Sequence, residues 1–425
     1  MSPDEIRTEL DGLRAAGETL RRRPAAEVQG LLEQVLDGWS DRDSGWRQQL
    51  EASLPTATGF SPEVVAEGLE RGLAHWDGAA LRALVARELG DVGVLDGSSA
   101  RLAAGFDVTA LLLAGSIPMP SLLALIAPLV LRSPVLAKTA SRDAVTAPLV
   151  VASLAEIDAE LGACAAAFGF AGDDDDAVDA LLEADCVVAM GGDATIANVA
   201  RRIAPATRLV AYGHRLSVAA VGGEATRGES LKRAADALAT DVALWDQLGC
   251  LSPVAVYAVG EDPDAADRVA AALAQALASA ELRWPRGRVD AEVAAGIVLE
   301  RDAAELRGAA DGRVAVHASD GTAWTVVRER DATPRDAPLH RFVRVHPVAD
   351  EAALLRALLP FRRHLAAVAI AGFGTASDAL ALALAQRGAS RICAPGTLQA
   401  PPLDWRHEGR GVLTPLARFA DREAW

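Results

Sequence analysis

The chain has 425 residues, enough for about two to three domains of ordinary size, each able to bury a core of its own. With 51% hydrophobic and 24% charged residues it has globular composition, which excludes intrinsic disorder and a small disulfide scaffold. Lysine plus arginine total 42 against 58 acids, a formal net charge of −16 with no dense basic stretch, so no nucleic-acid partner is expected.

Residues 1 to about 100 read as helices, with Leu31, Leu32, Val35 and Leu36 on one face and charges between. The opening MSPDEIRTEL carries charges of both signs and no apolar core, which fits neither a secretory signal nor a transit peptide, and a cytoplasmic protein is expected. Val108 to Leu131 is uncharged and long enough to span a bilayer, but Pro118, Pro120 and Pro128 would break such a helix. A buried strand, a proline-containing loop and a buried helix account for it, so no membrane span is expected. From Val108 onward, ALLLAGS, SLLALIAPLVL, SPVLAK, a helix to about Leu161, CVVAM, TIANVARRI and RLVAYG alternate strand and helix texture, predicting βαβ units around a parallel sheet. The acids Asp173 to Asp176 read as a solvated loop.

A helix is predicted from about Glu229 to Trp245, followed by a loop holding Cys250 and a strand through Val254, Val256 and Val259. The βα texture continues through AGIVLE, GRVAVHA, AWTVVRE, FVRVHPV, AVAIAGF and a helix near Ser377 to Arg387. The closing stretch, rich in Pro, Gly, Trp and Arg, reads as a tail laid over another surface.

No GxGxxG follows a predicted strand, and Walker A, HExxH and GxSxG are absent. The four cysteines form no CxxC and share no zinc spacing with histidine, so reduced thiols and no metal are expected. Cys250, in DQLGCLSP beside Gly249 and Ser252, sits where a nucleophilic thiol would find exposure, although free cysteine is also among the most buried residue types. Cys164, Cys186 and Cys393 lie among apolar residues and read as core. Lys138 ends SPVLAK, where it either meets a cofactor hydroxyl or phosphate or snorkels to solvent. Gly191 and Gly192 in VVAMGGDATI follow a strand and open a helix, a place for phosphate or for a plain tight turn. His214 in AYGHRLS ends a strand and reads as structural or as an acid or base.

Taken in order, AGSIP with its apolar continuation, SPVLAKTAS, ADCVVAMGGDATI, RLVAYGHRLS, DQLGCLSP and APPLDWRHEGRG resemble the LuxC-type acyl-CoA reductases, a branch of the aldehyde dehydrogenase superfamily. The resemblance covers most of the chain. It implies an α/β, aldehyde dehydrogenase-like fold of two doubly wound parallel-sheet domains with a helical N-terminal lead-in. The implied divisions are a helical segment 1–100, a cofactor-binding domain 101–215, a catalytic domain 216–390, and a tail 391–425 packed on the core or on a neighbouring subunit. It further implies that the Cys250 thiolate attacks an acyl thioester, releases the thiol and leaves an S-acyl enzyme that NAD(P)H reduces to the aldehyde. Lys138 would touch the adenosine ribose, and Gly191 and Gly192 would lie by the pyrophosphate.

Departures from the superfamily pattern sharpen that reading. Ser116 stands where an oxyanion-binding asparagine is usual, and Ala211 stands where hydrolytic members carry a glutamate base, leaving His214 as the nearby proton carrier. No glutamate for the nicotinamide ribose is evident around LHRFVRV. Ser141 replaces a glutamate common in NAD-preferring members and Arg142 follows it, so NADPH is expected over NADH. Acyl-CoA or an acyl-carrier thioester is the implied substrate, with an acyl-protein synthetase and a homo-oligomer as implied partners. An aldehyde-oxidising dehydrogenase and a non-catalytic acyl-transfer subunit stand as the alternatives.

Overall fold

The computed structural model describes residues 1–98 and 101–423; the last two positions of the expected helical segment, 99–100, and of the expected tail, 424–425, lie outside them. The chain forms two compact units. The first takes Met1–Thr58, Gly72–His214 and the residues from Pro402 onward, and the second takes Gly59–Arg71 and Arg215–Pro401.

In the first unit the N-terminal helix Pro3–Leu20 starts where Ser2 and Glu5 form a reciprocal capping box and Pro3 takes the first helical position. Its buried Ile6, Leu10 and Leu13 share one core cluster with Val178 and Leu181 of the helix Asp175–Leu181 and with Val108, Leu136 and Val187. This first helix of the lead-in belongs to the first unit, because its apolar stripe has that core to bury against, whereas Gly59–Arg71 of the lead-in belongs to the second.

The first six strands of this unit are β1 (Arg101–Ala104), β2 (Thr109–Leu112), β3 (Val135–Lys138), β4 (Ala165–Phe168), β5 (Cys186–Met190) and β6 (Arg208–Tyr212). The last five form a sheet of order β4-β3-β2-β5-β6, with every pairing parallel. Growth of the sheet reverses between β2 and β5. A crevice at the carboxyl ends of strands beside such a reversal is where doubly wound sheets take their ligands.

The uncharged stretch becomes β2 and the helix Pro118–Val130. Pro118 and Pro120 lie in the helix's first turn rather than in a loop, where proline costs little because those N–H groups have no partner inside the helix. Among the described residues, no helix is long and apolar enough to cross a membrane. The acidic run also differs from a simple loop. Asp174 caps the helix Asp175–Leu181 by accepting from the Ala177 N–H at 3.1 Å, and Asp175 and Asp176 fill the first turn, where the helix dipole favours negative charge.

The second unit holds β7 (Leu216–Val221), β8 (Pro253–Val259), β9 (Ala315–Ala318), β10 (Thr325–Arg328), β11 (Phe342–Val348), β12 (Leu365–Ala371) and β13 (Arg391–Cys393). They form a sheet of order β13-β12-β7-β8-β11-β10-β9, in which the edge pairing of β9 with β10 is antiparallel and the rest are parallel. AGIVLE, expected as strand-like, lies inside the helix Ala291–Asp311, where Ile297 is buried and Leu299 exposed, so only one face meets a core. The helix expected to reach Trp245 is Gly228–Ala243, and Trp245 falls in a left-handed turn beyond it.

After β13 the chain returns to the first unit, where β14 (Arg418–Asp421) pairs antiparallel with β1. The Glu88 carboxylate accepts the N–H groups of Val412, Leu413 and Thr414 at 2.7, 2.8 and 2.9 Å. Within the described part of the expected tail, Arg391–Cys393 is an edge strand of the second sheet, whereas residues 402–423 belong to the first unit.

Candidate active site

Five of the expected site residues lie at the carboxyl edge of the first unit's parallel sheet. Ser116 follows β2, Lys138 ends β3, Gly191 and Gly192 follow β5, and His214 follows β6. The loops after β2 and β5 flank the reversal point. Ser116 is buried and precedes the N-terminus of Pro118–Val130, which no side chain caps.

Lys138 is 7% exposed, and burial lowers its pKa. Its Nζ donates to the carbonyl of Thr139 at 3.3 Å and lies 5.6 Å from the Phe170 ring centroid. An ammonium carries three donors, so these contacts leave capacity for hydroxyl or phosphate oxygens. Ser141 and Arg142 occupy the tip of a turn closed by the Asp143 N–H on the Ala140 carbonyl, and both are exposed. The nearest following carboxylate, Asp143, is buried, and its Oδ1 accepts the N–H groups of Val145 and Thr146 at the start of the next helix.

Gly191 has φ +157° and receives close packing from Thr195, while its N–H donates to the Tyr212 carbonyl at 3.1 Å. Gly192 caps the helix Asp193–Arg202 with backbone alone, and a Cβ there would meet open space. The Asp193 carboxylate accepts the His214 N–H at 3.0 Å, which ties the β5 turn to the end of β6. The imidazole of His214 is exposed. Ala211 stays within β6, and its carbonyl accepts from Arg410, whose guanidinium lies 4.8 Å over the Tyr212 ring and pairs with Glu408 at 2.8 Å. Tyr212 stacks on His407 at 4.7 Å and 10°. The WRHEGRG segment thus packs over the end of β6. The sequence marked it as a surface-lying tail but gave no target, because its partners are nearly 200 residues away.

Cys250 belongs to the second unit. It is the second residue of a turn closed by the Ser252 N–H on the Gly249 carbonyl at 2.9 Å, and it is exposed. The other three cysteines are buried or half-buried. Burial raises the Cys164 thiol to about 11 and the Cys186 thiol to about 12, and raises Cys393 as well. A thiolate at neutral pH is therefore disfavoured at these three by their surroundings.

The turn is held from two sides. Ser217 Oγ donates to the Cys250 carbonyl at 2.7 Å. Beyond the thiol, Ser252 Oγ accepts from Gln399 Nε2 at 2.9 Å, and the same Nε2 donates to the Asp241 carbonyl at 3.2 Å. The Asp241 carboxylate accepts the N–H groups of Gly396 and Leu398 at 2.6 and 3.0 Å, and burial pushes its pKa up to about 7. Sequence reasoning missed Ser217, Asp241 and Gln399, which carry no motif and meet only through the fold. Among the described residues, no cluster of His, Cys, Asp or Glu is arranged to hold a metal.

The model of the acyl-CoA reductase (LuxC) family matches residues 21–419. The chain belongs to that family. Among relatives, it is 25% identical over 422 residues to a long-chain acyl-protein thioester reductase of Aliivibrio fischeri, covering 93% of this chain and 82% of the relative. Among solved structures, it is similar to an NADP-dependent glyceraldehyde-3-phosphate dehydrogenase of Bacillus halodurans complexed with NADP, at TM-score 0.74 and 15% identity, covering 99% and 92% of the two chains. It is also similar to an indole-3-acetaldehyde dehydrogenase of P. syringae in complex with NAD+, at TM-score 0.71 and 14% identity, covering 93% and 81%. The fold of this LuxC-family chain is that of the aldehyde dehydrogenases.

Proposed function

We propose that the chain reduces an acyl thioester, acyl-CoA or an acyl-carrier thioester, to an aldehyde, with Cys250 as the acyl acceptor and NADPH as the hydride donor. The observation that carries the site assignment is the contrast among cysteines: Cys250 alone is exposed in a turn, whereas the other thiols are buried or half-buried with raised pKa values.

The first unit's residues fit a nicotinamide dinucleotide. Lys138 is a buried ammonium with donors to spare at the end of β3, one strand from the reversal point, and the backbone cap at Gly192 leaves a side-chain-free approach to a helix N-terminus. Lys138 would bond the adenosine ribose and the Gly191–Gly192 turn would approach the pyrophosphate. When bound, the cofactor supplies hydride to the acyl carbon. The Cys250 thiolate attacks the thioester carbonyl, expels the thiol and becomes the S-acyl enzyme. After reduction, the carbon–sulfur bond breaks, which releases the aldehyde and restores the thiolate. Oxyanion character develops in both steps, and Ser116 is the proposed hydroxyl donor for it, with His214 as proton carrier. With alanine at 211, no carboxylate at that position activates water, which favours thioester chemistry over hydrolysis to the acid. A synthetase that delivers the acyl group and a homo-oligomeric state complete this reading.

Intact-protein mass spectrometry after mixing with acyl-CoA tests it. An acyl adduct is expected on the wild type and none on a folded Cys250→Ala variant, which should also lose turnover. An equal adduct on the variant overturns the assignment.

A further inference from the structure

Two runs of three consecutive non-glycine residues adopt left-handed backbone in the second unit. They are Trp245, Asp246 and Gln247 at φ 54°, 49° and 63°, and Leu339, His340 and Arg341 at φ 62°, 55° and 67°. L-residues pay for this conformation through a clash of Cβ with the carbonyl, so such runs persist only where the surroundings enforce them. Here the two runs enforce each other. Arg341, 1% exposed, donates from Nε and Nη2 to Asp246 Oδ1 at 3.0 and 2.6 Å, and from Nη1 to the Trp284 carbonyl at 2.8 Å. Asp246 Oδ2 accepts the Gly287 N–H at 2.9 Å.

Gln247, also 1% exposed, uses both ends of its amide. Its Oε1 accepts the Phe342 N–H at 2.8 Å, and its Nε2 donates to the carbonyls of Phe342 and Pro253 at 3.0 and 2.9 Å. Pro253 is the first residue of β8, so the bond from Gln247 closes the five-residue loop 248–252 like a clasp, with Cys250 at its middle. Trp245 is held too, since a Cβ on Gly68 would approach its indole to 2.4 Å.

We propose that Gln247 and Arg341 are positioning residues for acyl transfer to Cys250: the locked pair of left-handed turns fixes the base of the Cys250 loop and thereby the line along which the thiol meets a thioester carbonyl. This rests on Cys250 being the acyl acceptor. Gln247 bonds to Pro253 and Phe342, and Arg341 donates to Asp246 and the Trp284 carbonyl, so the proposed action is on the loop's geometry and not on thiolate formation. An alkylating reagent free to approach from any direction needs only the thiolate, whereas acyl transfer needs orientation, and misplacement of about 1 Å costs about a hundredfold in rate.

The test uses Gln247→Met, which keeps size and neutrality and removes three hydrogen bonds, and Arg341→Lys, which retains the charge but not the bidentate grip. For each folded variant, single-turnover acylation by acyl-CoA and the pH profile of iodoacetamide alkylation at Cys250 are measured. Acylation is expected to fall about ten- to a hundredfold in Gln247→Met and less in Arg341→Lys, with KM for acyl-CoA within about twofold and the alkylation midpoint unmoved. Wild-type acylation rates in either folded variant overturn the proposal, as does a shifted alkylation midpoint. If Gln247→Met does not fold, Arg341→Lys decides. Failure of the underlying reading looks different, because Cys250→Ala in an otherwise wild-type chain would then still form the acyl adduct.

Discussion

The buried hydroxyl of Ser217 in β7 donates a 2.7 Å hydrogen bond to the main-chain carbonyl of Cys250, joining an interior strand of the second sheet to the cysteine turn. The same oxygen accepts the Ala367 N–H from β12 at 3.2 Å, so one side chain registers the cysteine turn against two neighbouring strands.

Ser217→Ala leaves both backbone groups without this partner. We expect a loss of about 1–3 kcal/mol in stability, the cost of unsatisfied buried polar groups, and slower acylation of Cys250. Urea unfolding and single-turnover acylation measure the two effects, and unchanged values in both would show that Ser217 supports neither.

Cofactor choice is expected to follow the turn tip after Lys138. Ser141 brings no negative charge, Asp143 is engaged in capping, and Arg142 is exposed and available to a 2′-phosphate. The wild type should show a higher kcat/KM with NADPH than with NADH, and Arg142→Ala should lower that ratio. A preference for NADH, or a ratio the substitution does not alter, removes the phosphate site from Arg142.

Hydrolysis should be slow. Ala211 offers no base, and its carbonyl is taken by Arg410. Incubating aldehyde with oxidised cofactor in the absence of CoA should give little free acid. If acid forms rapidly, His214→Ala identifies whether the exposed imidazole supplies the base.

Asp241 links stability to pH. Burial raises its carboxyl to about 7 in the folded chain from 3.8, so the folded state holds a proton that the unfolded state releases. Its contribution is fully present below about pH 4 and is lost as pH rises through about 7, by about 4 kcal/mol at most. Urea midpoints should therefore carry a component that falls between about pH 4 and 7, and Asp241→Asn, which cannot ionise, should flatten it. A pH dependence identical in wild type and variant would rule out this contribution.

The order of short apolar runs and helical stretches determined the α/β class, strands β2, β3, β5, β6 and β8 and the loop that holds Cys250, because side-chain periodicity and glycine placement are local properties of a sequence; β1, β4 and β7 were not legible in it. Motif order carried the family in the same way. Local pattern failed where an apolar run has partners on one face only, as at AGIVLE, which could serve strand or helix until Ile297 found a core. Pattern also could not stop a helix at Ala243. The left-handed turn at Trp245, Asp246 and Gln247 opposes local backbone preference and exists because Arg341 and Phe342, about 95 residues later, supply the hydrogen bonds that hold it. Likewise, the residues from Pro402 sit on the first unit because Glu88 gathers three of their N–H groups. The sequence by itself determined which thiol and which loops to consider; the tertiary structure alone decided how the Cys250 turn is gripped, since hydrogen bonds between distant segments leave no local signature.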